Sequence, residues 1–179
     1  MNGKNKYSRG MNAEMSVMNE LFGNNKSVLY HYPSKDKNGK EIGQIVIVNN
    51  KTFRCPDLEV YEKYSSIRKD IAMRVEVKSF NSFPKESELP FKTKSDILII
   101  SKAQFEDYFG LQKEEEIPIT IVFAIGDNRG LNYKYYWSYL EEMIRFPKRE
   151  GFYTWKWSGD TELCYFFKSE SFNNNIREL

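Results

Sequence analysis

The stretch Ile117-Pro118-Ile119-Thr120-Ile121-Val122-Phe123-Ala124-Ile125 constrains the fold more than any other. Its apolar residues run on without polar alternation, which predicts a strand buried on both faces. Pro118 stands near the start, where a strand tolerates a missing N–H. The stretch Ala72–Phe80 behaves differently. Met73, Val75 and Val77 fall on one face and Arg74, Glu76 and Lys78 on the other, as a two-residue period requires. A third predicted strand, Phe53–Tyr61, carries Asp57 and Glu59 on a shared face. If these two strands pair, three carboxylates and one lysine converge on a rigid surface.

That convergence has a chemical use. Carboxylates offer the hard oxygen ligands that Mg²⁺ prefers, and the ion keeps several of its waters. Metal-bound water has a lowered pKa and can attack a phosphodiester while the ion stabilises charge on the phosphate. A neighbouring lysine can orient or activate that water. A sheet face of mixed charge is the plainer reading of Glu-x-Lys alone. Asp57 in an adjacent apolar strand shifts the balance toward a site.

Composition narrows the alternatives. The 179 residues suit one domain, residues 1–179, with a sizeable core. Apolar residues at 40% and aromatics at 16% argue against disorder. A net charge of +2 gives no broad basic field, so any nucleic-acid contact must use local patches. Two cysteines, Cys55 and Cys164, with no short-spaced pair argue against a thiolate zinc site. The single histidine, His31, excludes multi-histidine metal sites and reads as a packing or surface residue among Tyr30, Tyr32 and Pro33. No apolar run reaches the ~20 residues of a membrane span and no signal peptide is visible, so a cytoplasmic setting is expected.

Pro56-Asp57 followed by Glu76-Val77-Lys78 resembles the signature of the PD-(D/E)xK nuclease superfamily. The resemblance implies an α/β fold: a mixed central β-sheet flanked by helices, with a restriction endonuclease-like αβββαβ core. It also implies Asp57, Glu76 and Lys78 as catalytic residues. Asp57, Glu76, the Val77 backbone carbonyl and Glu14 would bind Mg²⁺ or Mn²⁺, with Glu59 in reserve. The expected activity is metal-dependent deoxyribonuclease chemistry on DNA. The expected type is a compact endonuclease of a phage, mobile-element, restriction or junction-resolving kind, plausibly a homodimer, with no membrane association. The alternative is a non-catalytic nuclease-fold module that binds nucleic acid or a protein partner.

The flanking elements follow that order. Residues 1–11 read as a flexible basic arm. A helix is expected from Ala13 to Phe22, capped by Asn12 and stopped by Gly23. Met11, Met15, Met18 and Phe22 recur at helical spacing, and Glu14 projects into the apolar arc. A carboxylate there is costly unless paired or metal-bound; the plainer reading is that it favours the helix N-terminus. Pro33–Lys40 reads as a loop or hairpin tip, Gln44–Val48 as a strand, Asn49-Asn50 as a tight turn, and Lys63–Lys69 as a polar turn. Ala72–Phe80 then completes three strands. Asn81–Lys94, with Lys85, Lys92 and Lys94, reads as a solvated excursion. After a short strand at Asp96–Ile100, Ser101 and Gln104 form a capping-box pattern that opens a helix. Gln104 and Tyr108 also show a Gln-x-x-x-Tyr spacing that resembles one used beside the active site in some superfamily branches.

The core thus spans 12–126. Residues 127–179 form an aromatic-rich C-terminal β extension. Phe152–Trp157 alternates as a strand, with Leu163–Phe167 as its hairpin partner around Ser158-Gly159-Asp160. Interleaved aromatics and cations can stack bases, but packing of an added layer is the favoured reading here, with Cys164 a buried thiol.

Overall fold

The computed structural model describes residues 4–24, 26–31, 34–35, 41–42, 44–61, 71–126, 132–155 and 158–179. The expected turn at Lys63–Lys69, the tip of the Pro33–Lys40 hairpin, residues 1–3 and the Lys156-Trp157 pair lie outside the described residues. In chain order the helices are α1 (Lys4–Gly23), α2 (Lys102–Glu115) and the short α3 (Leu140–Met143). The strands are β1 (Ser27–Tyr30), β2 (Ser34–Lys35), β3 (Glu41–Ile42), β4 (Ile45–Val48), β5 (Lys51–Arg54) and β6 (Leu58–Tyr61). They continue as β7 (Ile71–Phe80), β8 (Ile97–Ser101), β9 (Ile119–Gly126), β10 (Tyr133–Tyr139), β11 (Lys148–Thr154) and β12 (Thr161–Lys168).

The fold is α/β with a mixed central sheet of order β1-β6-β7-β9-β10. Strand β9 runs parallel to β7, while the other neighbours are antiparallel. A parallel pair needs a crossover connection, and α2 lies within the one that joins β7 to β9. The apolar run, with Thr120 its polar member, is buried along β9. Val122 and Ala124 pack toward α1 with Val75 and Val77, whereas Ile119, Ile121 and Phe123 pack toward α2.

Helix, three strands, helix, strand does occur around this sheet, as α1, β1, β6, β7, α2 and β9. Its first strand is β1, however, and not Gln44–Val48. The latter pairs with β5 in a separate hairpin turned by Asn49 (φ 50°) and Asn50 (φ 62°). Two positive-φ residues match the strand twist, and asparagine tolerates that conformation. The expected strand Phe53–Tyr61 is also corrected. It breaks at Cys55-Pro56-Asp57, leaving β5 in the hairpin and β6 in the central sheet. Pro56 has no N–H for a ladder, and the chain changes sheets there.

Helix α1 starts well before Asn12, so the backbone from Lys4 onward is helical and not an arm. Its buried line is Ala13, Val17 and Leu21; Met11 and Phe22 are largely exposed. Ala13 and Val17 let the helix sit close on the sheet, and Leu21 fills the space at its C-terminal end. The loop after β7 is anchored, since Leu89 and Phe91 pack beside Phe166 while Lys85, Lys92 and Lys94 stay exposed. Strands β11 and β12 form the expected antiparallel hairpin and recruit β8 into a three-stranded sheet. Its aromatics pack: Phe91 meets Phe166 edge-on at 5.2 Å and Phe105 meets Tyr165 at 5.3 Å. Cys164 is fully buried there, and burial pushes its thiol up to about 12. Among the described residues no helix is long and apolar enough to cross a membrane.

Candidate active site

Strand β7 outruns its neighbour. The β6–β7 ladder spans Leu58↔Val75 to Tyr61↔Ile71, whereas β7 pairs with β9 as far as Phe80. The β6 side of residues 76–80 is therefore open, and Asp57 stands at its start. The Asp57 carboxylate takes the next ladder position itself, with Oδ2 accepting from the Val77 N–H at 2.8 Å. A residue's carbonyl leaves a strand on the same side as its N–H, so the Val77 carbonyl faces the same gap.

Glu76 enters from the α2 face and is almost wholly buried, at 3% exposure. Three donors hold it. Lys78 Nζ lies 2.5 Å and Gln104 Nε2 3.0 Å from Oε1, and the Tyr108 hydroxyl donates to Oε2 at 2.5 Å. Gln104 Nε2 also reaches the Tyr108 hydroxyl at 2.9 Å. The capping role expected for Gln104 is thus corrected: Ser101 makes no side-chain cap bond, and the Gln104 side chain turns to Glu76. One helical turn separates Gln104 from Tyr108, which puts both on one face of α2. Burial, then the charges of Glu76 and Asp57, hold the Tyr108 phenol well above its ordinary value, so it stays a donor.

Glu14 reaches the cluster from α1. Its carboxylate accepts from the Tyr30 hydroxyl on β1, and with Asp57 it lines a cleft of about 170 Å³. The Asp57 carboxyl is raised well above the usual carboxylate range. Burial is the main cause, followed by the charges of Glu76 and Glu14; Lys78 and the Val77 N–H pull the other way without cancelling them. A buried carboxyl that resists ionisation beside two further carboxylates offers the oxygen donors that a hard divalent cation takes.

Glu59 does not join them. It sits opposite Arg74 across the β6–β7 ladder, with Oε1 3.3 Å from Arg74 Nη2 and Oε2 accepting from the Tyr61 hydroxyl at 2.6 Å. Arg74 is 4% exposed and also meets Glu115 at 3.2 Å and Cys55 Sγ at 3.5 Å. Burial raises the Glu115 carboxyl, opposed by Arg74, and raises the Cys55 thiol to about 11. His31 completes this second cluster, with Nε2 3.3 Å from Glu59 Oε1.

Donor atoms of His31, Cys55 and Glu59 all lie within 4.8 Å of one another. Sequence reasoning missed this cluster because its members come from a missed strand end, a misread break and a face taken for one with Asp57. Tyr30 was missed with the same strand.

No family model matches the chain, and no curated protein matches it. Among solved structures, a Holliday junction resolvase, Hjc, from the archaeal hyperthermophile Archaeoglobus fulgidus is similar at 10% identity and a TM-score of 0.49. The alignment covers 91% of this chain and 86% of that one. A likeness so remote decides nothing about chemistry, which rests on the geometry above.

Proposed function

We propose that the chain is a single-domain, metal-dependent nuclease that hydrolyses phosphodiester bonds in DNA. One observation carries the reading. Asp57, Glu76 and Glu14 gather at an open strand edge with Lys78 beside Glu76, and the charged form of Asp57 is destabilised first by burial and then by the charges of Glu76 and Glu14. Asp57 and Glu76 would hold Mg²⁺ or Mn²⁺, with Glu14 and the Val77 carbonyl as further oxygen donors. The bound cation supplies Lewis acidity toward the phosphate and a more acidic water.

The side chains do the rest. Gln104 and Tyr108 fix the Glu76 carboxylate from the buried side, which presets its direction before substrate arrives. Lys78 is the more accessible partner of Glu76. It turns from that carboxylate to orient the attacking water and to neutralise charge growing on the phosphate. As the water oxygen bonds to phosphorus, the bond to the leaving sugar oxygen breaks, the water proton passes to solvent and the leaving oxygen takes a proton from solvent to become a hydroxyl. Exposed Lys85, Lys92 and Lys94, on the loop that leaves β7 just after Lys78, suit contacts to flanking phosphates. A homodimer would present two such sites to two strands.

The test is to incubate supercoiled plasmid, linear duplex, single strand and a four-way junction in Mg²⁺, Mn²⁺ or chelator, beside Asp57→Ala and Lys78→Ala. Metal-dependent cutting of any substrate, lost in both variants, supports the reading. No cutting of any substrate by a folded parent removes it in favour of a binding module.

A further inference from the structure

We propose that His31, Cys55 and Glu59 form a second cation site, selective for a borderline-soft transition metal such as Zn²⁺ or Co²⁺ and separate from the oxygen cluster. One imidazole nitrogen, one thiol sulfur and one carboxylate oxygen within 4.8 Å of one another are the donor types such metals take. Bond lengths of about 2.0–2.3 Å set donors in a tetrahedral site about 3.3–3.8 Å apart. The three need approach by only about 1 Å.

The donors are ready for this. His31 Nε2 is buried and finds no hydrogen-bond partner, although Glu59 Oε1 is 3.3 Å away. A buried nitrogen left in that state costs free energy that a metal bond would recover. His31 and Cys55 both line the cleft of about 170 Å³, which gives the ion a route in and room for a water as fourth ligand. On binding, the Cys55 thiol proton leaves to solvent as sulfur bonds the metal.

Arg74 sets the selectivity. Its guanidinium sits 3.3 Å from Glu59 and 3.5 Å from Cys55, so a hard cation that gains only from the carboxylate meets an established positive charge. A metal that gains from sulfur and nitrogen as well can displace the arginine from Glu59. Arg74 then keeps Glu115, 3.2 Å from its Nη2, and remains paired. The ion would tie the end of β1 to the β5–β6 connection on either side of Asp57, whose carbonyl already accepts the His31 N–H at 2.9 Å.

Titration of the metal-free chain with Co²⁺ tests this, because thiolate ligation gives a near-ultraviolet charge-transfer band and low coordination gives intense visible bands. One equivalent should produce both in the parent, in Cys164→Ser and in Glu76→Gln. Cys55→Ser should lose the charge-transfer band, and His31→Gln should bind more than about tenfold more weakly. Absence of the band in the parent, its survival in Cys55→Ser or its loss in Glu76→Gln overturns the proposal. A measurement on the parent alone guards against misfolded variants. Zn²⁺, but not Mg²⁺, should slow alkylation of Cys55 at least tenfold, and equal rates with both ions overturn the assignment.

Discussion

Two carboxylate clusters lie side by side along β6 and β7, and they solve the same problem in opposite ways. Glu59 and Glu115 share Arg74, a cation built into the fold and 4% exposed. Of Asp57, Glu76 and Glu14, Glu76 pairs with Lys78, while burial first and then the charges of Glu76 and Glu14 hold Asp57 toward its protonated form. Buried charge is tolerated when it is paired and hydrogen-bonded. The first cluster takes its countercharge from Arg74, although His31 Nε2, Arg74 Nε and Glu115 Oε2 make no hydrogen bond. In the second, the buried Asp57 carboxyl resists ionisation, and the open strand edge and cleft give an outside cation access. A fold that sets an arginine between one carboxylate pair, two residues along the same strand face, shows that the raised Asp57 carboxyl is not forced by topology.

Removing the built-in cation should have the largest effect. Arg74→Met strands the buried Glu59 and the half-buried Glu115, which costs about 3–5 kcal/mol and lowers the melting temperature by roughly 10 °C in a chain this size. Adding Glu59→Gln and Glu115→Gln should recover much of that loss. A single variant that melts within 2 °C of the parent, by the rule of about 2–4 °C per kcal/mol, would show that the arginine cluster is not held by charge. Lys78→Ala should cost less stability, about 1.5–3 kcal/mol, because Gln104 and Tyr108 stay on Glu76, while cleavage falls by about 10²–10³-fold. Single-turnover rates in Mn²⁺ read this. Undiminished rates would remove Lys78 from the chemistry.

Much of this contrast is written in the alternation of Ala72–Phe80, and part of it is not. The pattern places Arg74, Glu76 and Lys78 on one face, and they lie so. It cannot say that α2 buries that face, because helix α2 presents Phe105, Tyr108 and Leu111 from a segment that is otherwise mostly polar. Asp57 and Glu59 look equivalent on a strand read from Phe53 to Tyr61. The Pro56 break separates their roles, one turned to Val77 and the other to Arg74. Strand β1 escaped notice because four residues of half-exposed Ser-Val-Leu-Tyr carry too little periodicity to stand out. With it went Tyr30 and the placement of His31. The β9 run, by contrast, was legible in full, since a strand buried on both faces shows apolar side chains at nearly every position, Thr120 apart.

Tyr108→Phe sharpens the comparison at intermediate size. It removes the hydroxyl donor from Glu76 Oε2 while Lys78 and Gln104 stay on Oε1. Loss of a buried hydrogen bond to a charged group costs about 1.5–3 kcal/mol, read as a melting shift without metal. Mn²⁺ should restore part of it by giving that oxygen a new partner. A variant whose loss is equal with and without Mn²⁺ would mean that Glu76 does not meet the ion.

The smallest effect discriminates best. Burial first, then Glu76 and Glu14, raise the Asp57 carboxyl well above its ordinary value. The native chain therefore keeps a proton that the unfolded chain gives up near pH 4, at an ordinary aspartate pKa of about 3.9. That contribution is fully present below pH 4 and is lost as pH rises through the raised folded value. Asp57→Asn has no such loss and still offers an oxygen to the Val77 N–H. At neutral pH without metal it should melt a few degrees above the parent, equivalent to about 1 kcal/mol, and the gap should close as pH falls toward 4. Mn²⁺ should close it from the other side by stabilising the parent alone. If Asp57→Asn melts with the parent at both pH values, the carboxylate is at ease without a cation, and the two clusters do not differ in the way their charges suggest.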